Sequence, residues 1–168
     1  MRDILKFMNT FVDGYGFAGV ASAVEVPKIE VATRDFTAAG MAGPIEVRMA
    51  RLANALMCKM TFEGFDPHLY ETLDITEGST IPFTCKGSTE DGDGATHAHS
   101  VTMRGFVNIL DEGEWKDGEN VPLKLDLSLR YYKRVRDGVE LFEIDQENMI
   151  FRVKGRDLLA QHRANIGR

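Results

Sequence analysis

The sequence predicts a mainly-β protein, a sandwich or barrel with one short internal helix and a short C-terminal helix. Three observations carry this. Val121, Leu123, Leu125, Leu127, Leu129 and Tyr131 are apolar, whereas Lys124, Asp126, Ser128 and Arg130 between them are polar. Such alternation marks a long strand with one oily and one wet face. Asp137-Gly138 comes next, a pair that accepts positive φ in a tight hairpin turn, and Val139 to Ile144 returns as a second strand. Elsewhere strand-length runs succeed one another without intervening long helices, which excludes a doubly wound sheet.

Bulk properties narrow the function. The 168 residues, 43% of them hydrophobic, suffice for one domain with a real core. A formal charge of −6 argues against a general nucleic-acid binder, which would carry a basic excess. No apolar run is long enough to cross a membrane as a helix. Asp3 and Lys6 interrupt Ile4-Leu5 and Phe7-Met8 before a signal-peptide core could form, so folding in a cytoplasm is expected.

In chain order, residues 1–9 read as an arm, frayed or ordered by a partner. Gly14-Tyr15-Gly16-Phe17-Ala18-Gly19 matches G-x-G-x-x-G. A dinucleotide site needs a helix of ten or more residues next, but Pro27 ends the next segment too soon, and a turn is the better reading. Residues 29–36 form a strand. Residues 37–55 read as a long docking loop, with a possible strand at 45–49. Residues 56–63 are a strand of period two. Asp66 and Pro67 are an N-cap and first-turn pair that opens a helix over 67–75.

Residues 79–87 are a strand, and Glu90 to Gly94 an acidic hairpin tip. The tip resembles the start of a calcium loop, but Thr102 stands where a bidentate Glu is needed. His97 and His99 share one face of the next strand, 99–110 with its approach. No third metal ligand is near in sequence, so edge packing is preferred over a metal pair. Residues 111–120 form an acidic loop around Trp115. A strand over 149–154 precedes a final helix capped by Asp157.

Cys58 and Cys85 fall on apolar strand faces. Two buried thiols are expected, with a bond between them, or between subunits, as the alternative. No catalytic set, metal cluster or cofactor motif emerges, and residue patterning alone stops at a β protein with a docking loop.

An ordered set of short signatures goes further. NTFVDGYGFAG, VPKIEV, AAGMAGPIEVRM, GEWKDGE, RYYK, DGVELFEID and the closing 148–155 segment occur in this order across residues 9–168. The set resembles the major tail tube protein of contractile-tailed bacteriophages and the related R-type pyocins. The resemblance implies the β-sandwich-like barrel of tail tubes, six-copy rings, and stacking into a hollow tube that crosses a bacterial envelope and conducts DNA. It implies no catalysis and no cofactor. Partners would be further copies of the chain, sheath, tape measure, baseplate and tail terminator proteins, with genomic DNA passing unbound. The protein would lie in the virion tail after assembly in the host cytoplasm, without a membrane anchor.

On that footing Phe11, Asp13, Gly14, Phe17, Ala39, Gly40, Met41 and Pro44 are expected at ring-to-ring contacts. Glu30, Arg34, Lys59, Glu63, Lys124, Asp126, Ser128 and Arg130 are candidates for the lumen wall, with the surface under the sheath as the alternative for Lys124, Asp126, Ser128 and Arg130. The alternatives are a type VI secretion-like tube, the tube of a DNA-free pyocin-like particle, a small-ligand β-barrel and, more distantly, a nucleotide-binding enzyme through Gly14–Gly19.

Overall fold

A chain so rich in alternating runs must pair its strands over long sequence distances, and it does. The computed structural model describes residues 2–168. In chain order the elements are β1 (Ile4–Val12), β2 (Tyr15–Gly16), β3 (Ala21–Glu25), β4 (Val31–Phe36), β5 (Ile45–Leu52), β6 (Leu56–Glu63), α1 (Pro67–Thr72), β7 (Ile81–Glu90), β8 (Thr96–Asp111), β9 (Pro122–Arg136), β10 (Val139–Asp145), β11 (Ile150–Val153), β12 (Arg156–Asp157) and α2 (Ala160–Asn165). Ten strands form one antiparallel sheet, ordered β12-β11-β10-β9-β8-β7-β1-β2, with β6 and then β3 branching from β9; β4 and β5 form a separate hairpin.

The long alternating strand is the branch point. Along one edge β9 pairs with β8 from Lys124 to Arg136. Its other edge is shared: Pro122 to Leu129 pair with β6, and Tyr131 to Arg136 with β10. One strand therefore belongs to two sheet directions, and the sheet curls around the side chains between them. Leu123, Leu125, Leu127 and Leu129 from β9 meet Leu56, Cys58, Met60 and Phe62 from β6, with Phe17, Phe83, Met103 and Ile144 closing the core.

The alternation breaks where β9 changes partner. Arg104 faces Tyr131 but Gly105 faces Leu129, so Arg130 is an extra residue on β9. Beyond this bulge the inward and outward faces of the strand are exchanged. Tyr132, not the expected Tyr131, points inward, buried to 3% exposure. Gly105 is needed there for close approach. A Cβ on it would lie 2.1 Å from the backbone oxygen of Ser128.

Local signals behave as predicted at the turns. Asp137 and Gly138 have φ of 48° and 78°, the two left-handed residues of a primed hairpin turn. The α1 helix starts with Asp66 accepting the His68 N–H at 2.9 Å and Pro67 in its first turn, but it ends at Thr72. The last helix begins later than expected, at Ala160, with Leu159 at its N-cap. Asp157 is instead in β12, paired with Arg152, and takes the Leu159 N–H at 3.0 Å. Arg163 clamps α2 down, donating to Asp157 Oδ2 at 2.6 Å and to the Met149 carbonyl at 2.7 Å. The Arg163 bond holds the Asp157 carboxyl below its ordinary pKa.

Two expectations need correction. The stretch read as an arm is strand from Ile4 onward, hydrogen-bonded to β7, because the apolar residues at 4–8 meet a partner about 80 residues away in the chain. The stretch read as a long loop is mostly hairpin: β5 pairs with β4 and leaves only residues 37–44 as the connection. The glycine run, by contrast, makes the expected turn rather than a nucleotide site. Asp13-Gly14 turns β1 into β2, and β3 stands where a helix would be required.

Candidate assembly surfaces

The polar face of the central strand is built by register. Lys59 of β6 stands opposite Asp126, Thr61 opposite Lys124 and Met57 opposite Ser128. On the other side of β9, Asp111 stands opposite Lys124. Beyond β6, Glu25 of β3 stands opposite Lys59. The structure thus gathers Lys59, Glu63, Lys124, Asp126 and Ser128 on one outward face of β6 and β9. Opposite charges sit directly across from one another, which stabilises the sheet modestly, and the carboxylates of Glu25, Glu63, Asp111 and Asp126 outnumber Lys59 and Lys124, so the face is net negative.

The other lumen candidates lie apart. Arg130 is at the bulge, bonded to Glu147 at 3.0 Å. Glu30 accepts from Asn54 at 3.1 Å and borders the same face in a groove with Glu25 and Lys59. Arg34 is away from this face, on β4 opposite Val47.

The second surface is the β4–β5 hairpin. Cross-strand partners share a face, so Phe36 with Ile45 and Arg34 with Val47 define one side of it, and Met49 continues that parity. Phe36 and Ile45 are more than half exposed, and Val47 and Met49 are partly exposed. An amphipathic hairpin with its oily side in water is unusual for a subunit that stays alone. At its tip, Met41 N–H donates to the Ala38 carbonyl at 3.2 Å and Gly40 takes a φ of 86°. Ala39, Gly40 and Pro44 are exposed there and Met41 is half-buried.

The third surface is the open edge of β1. Among the described residues, β1 pairs with β7 on one side and on the other only with β2, at Phe11 and Val12. The backbone of Ile4 to Asn9 is unpaired along that edge, and Ile4, Leu5 and Phe7 are exposed, Phe7 to 77%. The outer edge of β3 is open as well. Between them runs an apolar groove of about 260 Å³, with Leu5 and Met8 on one bank and Val24 and Val26 on the other.

The remaining contact candidates separate. Asp13 and Gly14 are exposed at the β1–β2 turn and Phe11 is half-buried under the Lys86 ammonium, 5.5 Å from its ring. Phe17 is core: it packs edge-on against Phe62 at 5.6 Å and is 1% exposed, so its side chain is no surface contact. Sequence reasoning missed Phe7, Phe36, Ile45 and Val47. Their signal was an apolar stripe with period two in segments that had no partner for it.

Both cysteines are free thiols. Burial, with smaller contributions from Cys85 and Glu25, pushes the Cys58 thiol up to about 12. Since the thiolate is the nucleophile, Cys58 should resist aqueous thiol reagents at about pH 8 in the native subunit and react only on unfolding. Alkylation and then peptide mass analysis check this; rapid native labelling of Cys58 would show that the core opens there.

Fold and surface together define a structural β subunit, one that presents open sheet edges and an uncovered oily hairpin. A family model described as "Phage tail tube protein FII" matches residues 2–167, and the chain belongs to that family. It is 39% identical over 165 residues to the tail tube protein of Escherichia phage P2, covering 97% of this chain and 96% of the relative. It is 29% identical over 154 residues to the major tail tube protein of Serratia phage KSP20, covering 92% and 89%. A solved structure, the Dit protein of phage SPP1, aligns with a TM-score of 0.47 at 15% identity, covering 76% of this chain and 52% of that one. The chain is thus a structural subunit of a phage tail tube.

Proposed function

We propose that six copies close into a ring through their open sheet edges and that rings stack into the hollow inner tube of a contractile tail. The observation that carries this is the uncovered apolar side of the β4–β5 hairpin together with the unpaired, oily edge of β1. Pairing an edge with the next subunit satisfies its free backbone groups, and ring closure removes such edges altogether. A head-to-tail contact, repeated, generates an open stack. In this reading the hairpin tip (Ala39, Gly40, Met41, Pro44) and the 11–14 turn meet the adjacent ring.

The mixed-charge face of β6 and β9 lines the lumen. Each phosphate neutralised by a protein cation adds affinity, so a wall whose Lys59 and Lys124 are outnumbered by Glu25, Glu63, Asp111 and Asp126 lets DNA pass without holding it. The outer surface meets the sheath, the ends of the tube meet baseplate and terminator proteins, and the tape measure occupies the bore during assembly in the host cytoplasm. The subunit performs no catalysis.

Negatively stained images of purified protein and of particles test this. Wild type gives extended tubes. The double substitution Phe36→Lys, Ile45→Glu gives soluble subunits without tubes, with unfolding shifted by no more than about 1 kcal/mol, since both side chains are more than half exposed in the free subunit and the new charges are opposite across the strand pair. Tubes of normal length from the double variant would exclude the hairpin as a stacking surface.

A further inference from the structure

The acidic turn and the paired histidines are separate features in the sequence, and the fold joins one half of each. At the β7–β8 turn, Asp91 Oδ1 accepts the N–H groups of Asp93 and Ala95, both at 2.9 Å. Its Oδ2 lies 3.8 Å from His97 Nε2. The other ring nitrogen of His97, Nδ1, is 2.7 Å from Asp137 Oδ2 in the β9–β10 turn. That turn is locked onto β8: the Ala98 N–H donates to Asp137 Oδ1 and the Asp137 N–H to the Ala98 carbonyl, each at 2.8 Å. Asp3, just before β1, completes the group. Donor atoms of Asp3, Asp91 and His97 all lie within 4.8 Å of one another. His99 takes no part, because its ring nitrogens face Arg134 at 2.8 Å and Thr89 at 2.9 Å.

We propose that Asp3, Asp91 and His97 form a binding site for a divalent transition-metal ion of the zinc type, with Asp137 orienting the imidazole. A neutral imidazole carries one N–H. A carboxylate 2.7 Å from Nδ1 draws that hydrogen to itself and leaves the Nε2 lone pair facing Asp91 and Asp3. This carboxylate–histidine relay is the usual support behind a metal-bound histidine, fixing both tautomer and ring direction. The charge balance matches a dication. Asp3, Asp91 and Asp137 contribute three negative charges, and the Arg136 guanidinium, 2.6 Å from Asp3 and 4.0 Å from Asp137, offsets one.

The donor set selects the metal class. One nitrogen and two oxygens with a vacant position suit zinc, which takes three protein ligands and a water. Calcium needs six to eight oxygens, more than this group offers. Tetrahedral bonds of about 2.0–2.1 Å require donors roughly 3.3 Å apart. Asp91 and His97 stand 3.8 Å apart, and Asp3, whose donor lies within 4.8 Å of both, would turn inward to complete the set. An ion there ties the start of β1 to the tip of the β7–β8 hairpin, which Asp137 already holds to the β9–β10 turn.

Titration of the full chain with zinc chloride, read by calorimetry and by thermal unfolding, tests the site. Wild type binds one ion per subunit and melts higher with zinc. Asp91→Asn and His97→Gln bind at least about tenfold more weakly. Asp91→Asn keeps an oxygen for the two turn N–H groups, so its melting without zinc stays that of wild type and separates lost binding from lost folding. Absence of saturable binding at millimolar zinc, or wild-type affinity in both variants, overturns the proposal. Calcium competing at equal concentration overturns the metal class.

Discussion

Replacing Gly105 with alanine is expected to destabilise the subunit by about 3 kcal/mol or more, because a buried methyl must push two backbones apart. The added Cβ would lie 2.1 Å from the Ser128 carbonyl oxygen and 2.8 Å from the Leu129 Cα. Neither is a flexible side-chain end that could step aside. The crowding falls at the Arg130 bulge, where β9 leaves β6 and joins β10, so relief must come from the strand pair around which the sheet is organised. A domain of this kind has about 5–15 kcal/mol in total, and the loss would lower Tm by roughly 10 °C. Urea unfolding of the two subunits, compared at equal concentration, measures it. A midpoint unchanged from wild type would mean that β8 and β9 do not approach this closely at Gly105.

Truncating Leu127 to alanine is expected to cost about 2–5 kcal/mol, while Ser128→Ala costs less than about 0.5 kcal/mol. The residues are neighbours in sequence, and only the face differs. Leu127 is fully buried between Cys58 of β6 and Val107 of β8. Its loss removes apolar contacts and leaves a cavity that rigid strands on both sides cannot collapse. Ser128 faces out beside Met57 and Phe106 and makes no side-chain hydrogen bond of its own among the described residues. Equal effects at the two positions would contradict the inward and outward assignment of β9, and with it the reading of the polar face as a wall. Ser128→Ala tubes also isolate any effect on DNA passage from an effect on folding.

The sequence alone decided what short-range physics decides. Side-chain alternation has period two, so the oily and wet faces of 121–129 and 56–63 were legible without coordinates. Asp137-Gly138 specified its turn because those residues tolerate positive φ, and Asp66-Pro67 specified where a helix begins. The ordered signatures resembled the tail tube family to which the chain belongs. Tertiary structure decided everything that depends on a distant partner. Alternation holds only until a bulge, so the inward residue after Leu129 is Tyr132, and the bulge exists because β9 must serve both β6 and β10. Ile4 to Asn9 became strand because β7 was there to receive it. Phe17 was drawn inside by Phe62, a residue far along the chain. The Asp91–His97–Asp137 contact exists only once strands far apart in the chain take their register, and the β4–β5 hairpin shows an oily face only because no distant element of the subunit covers it.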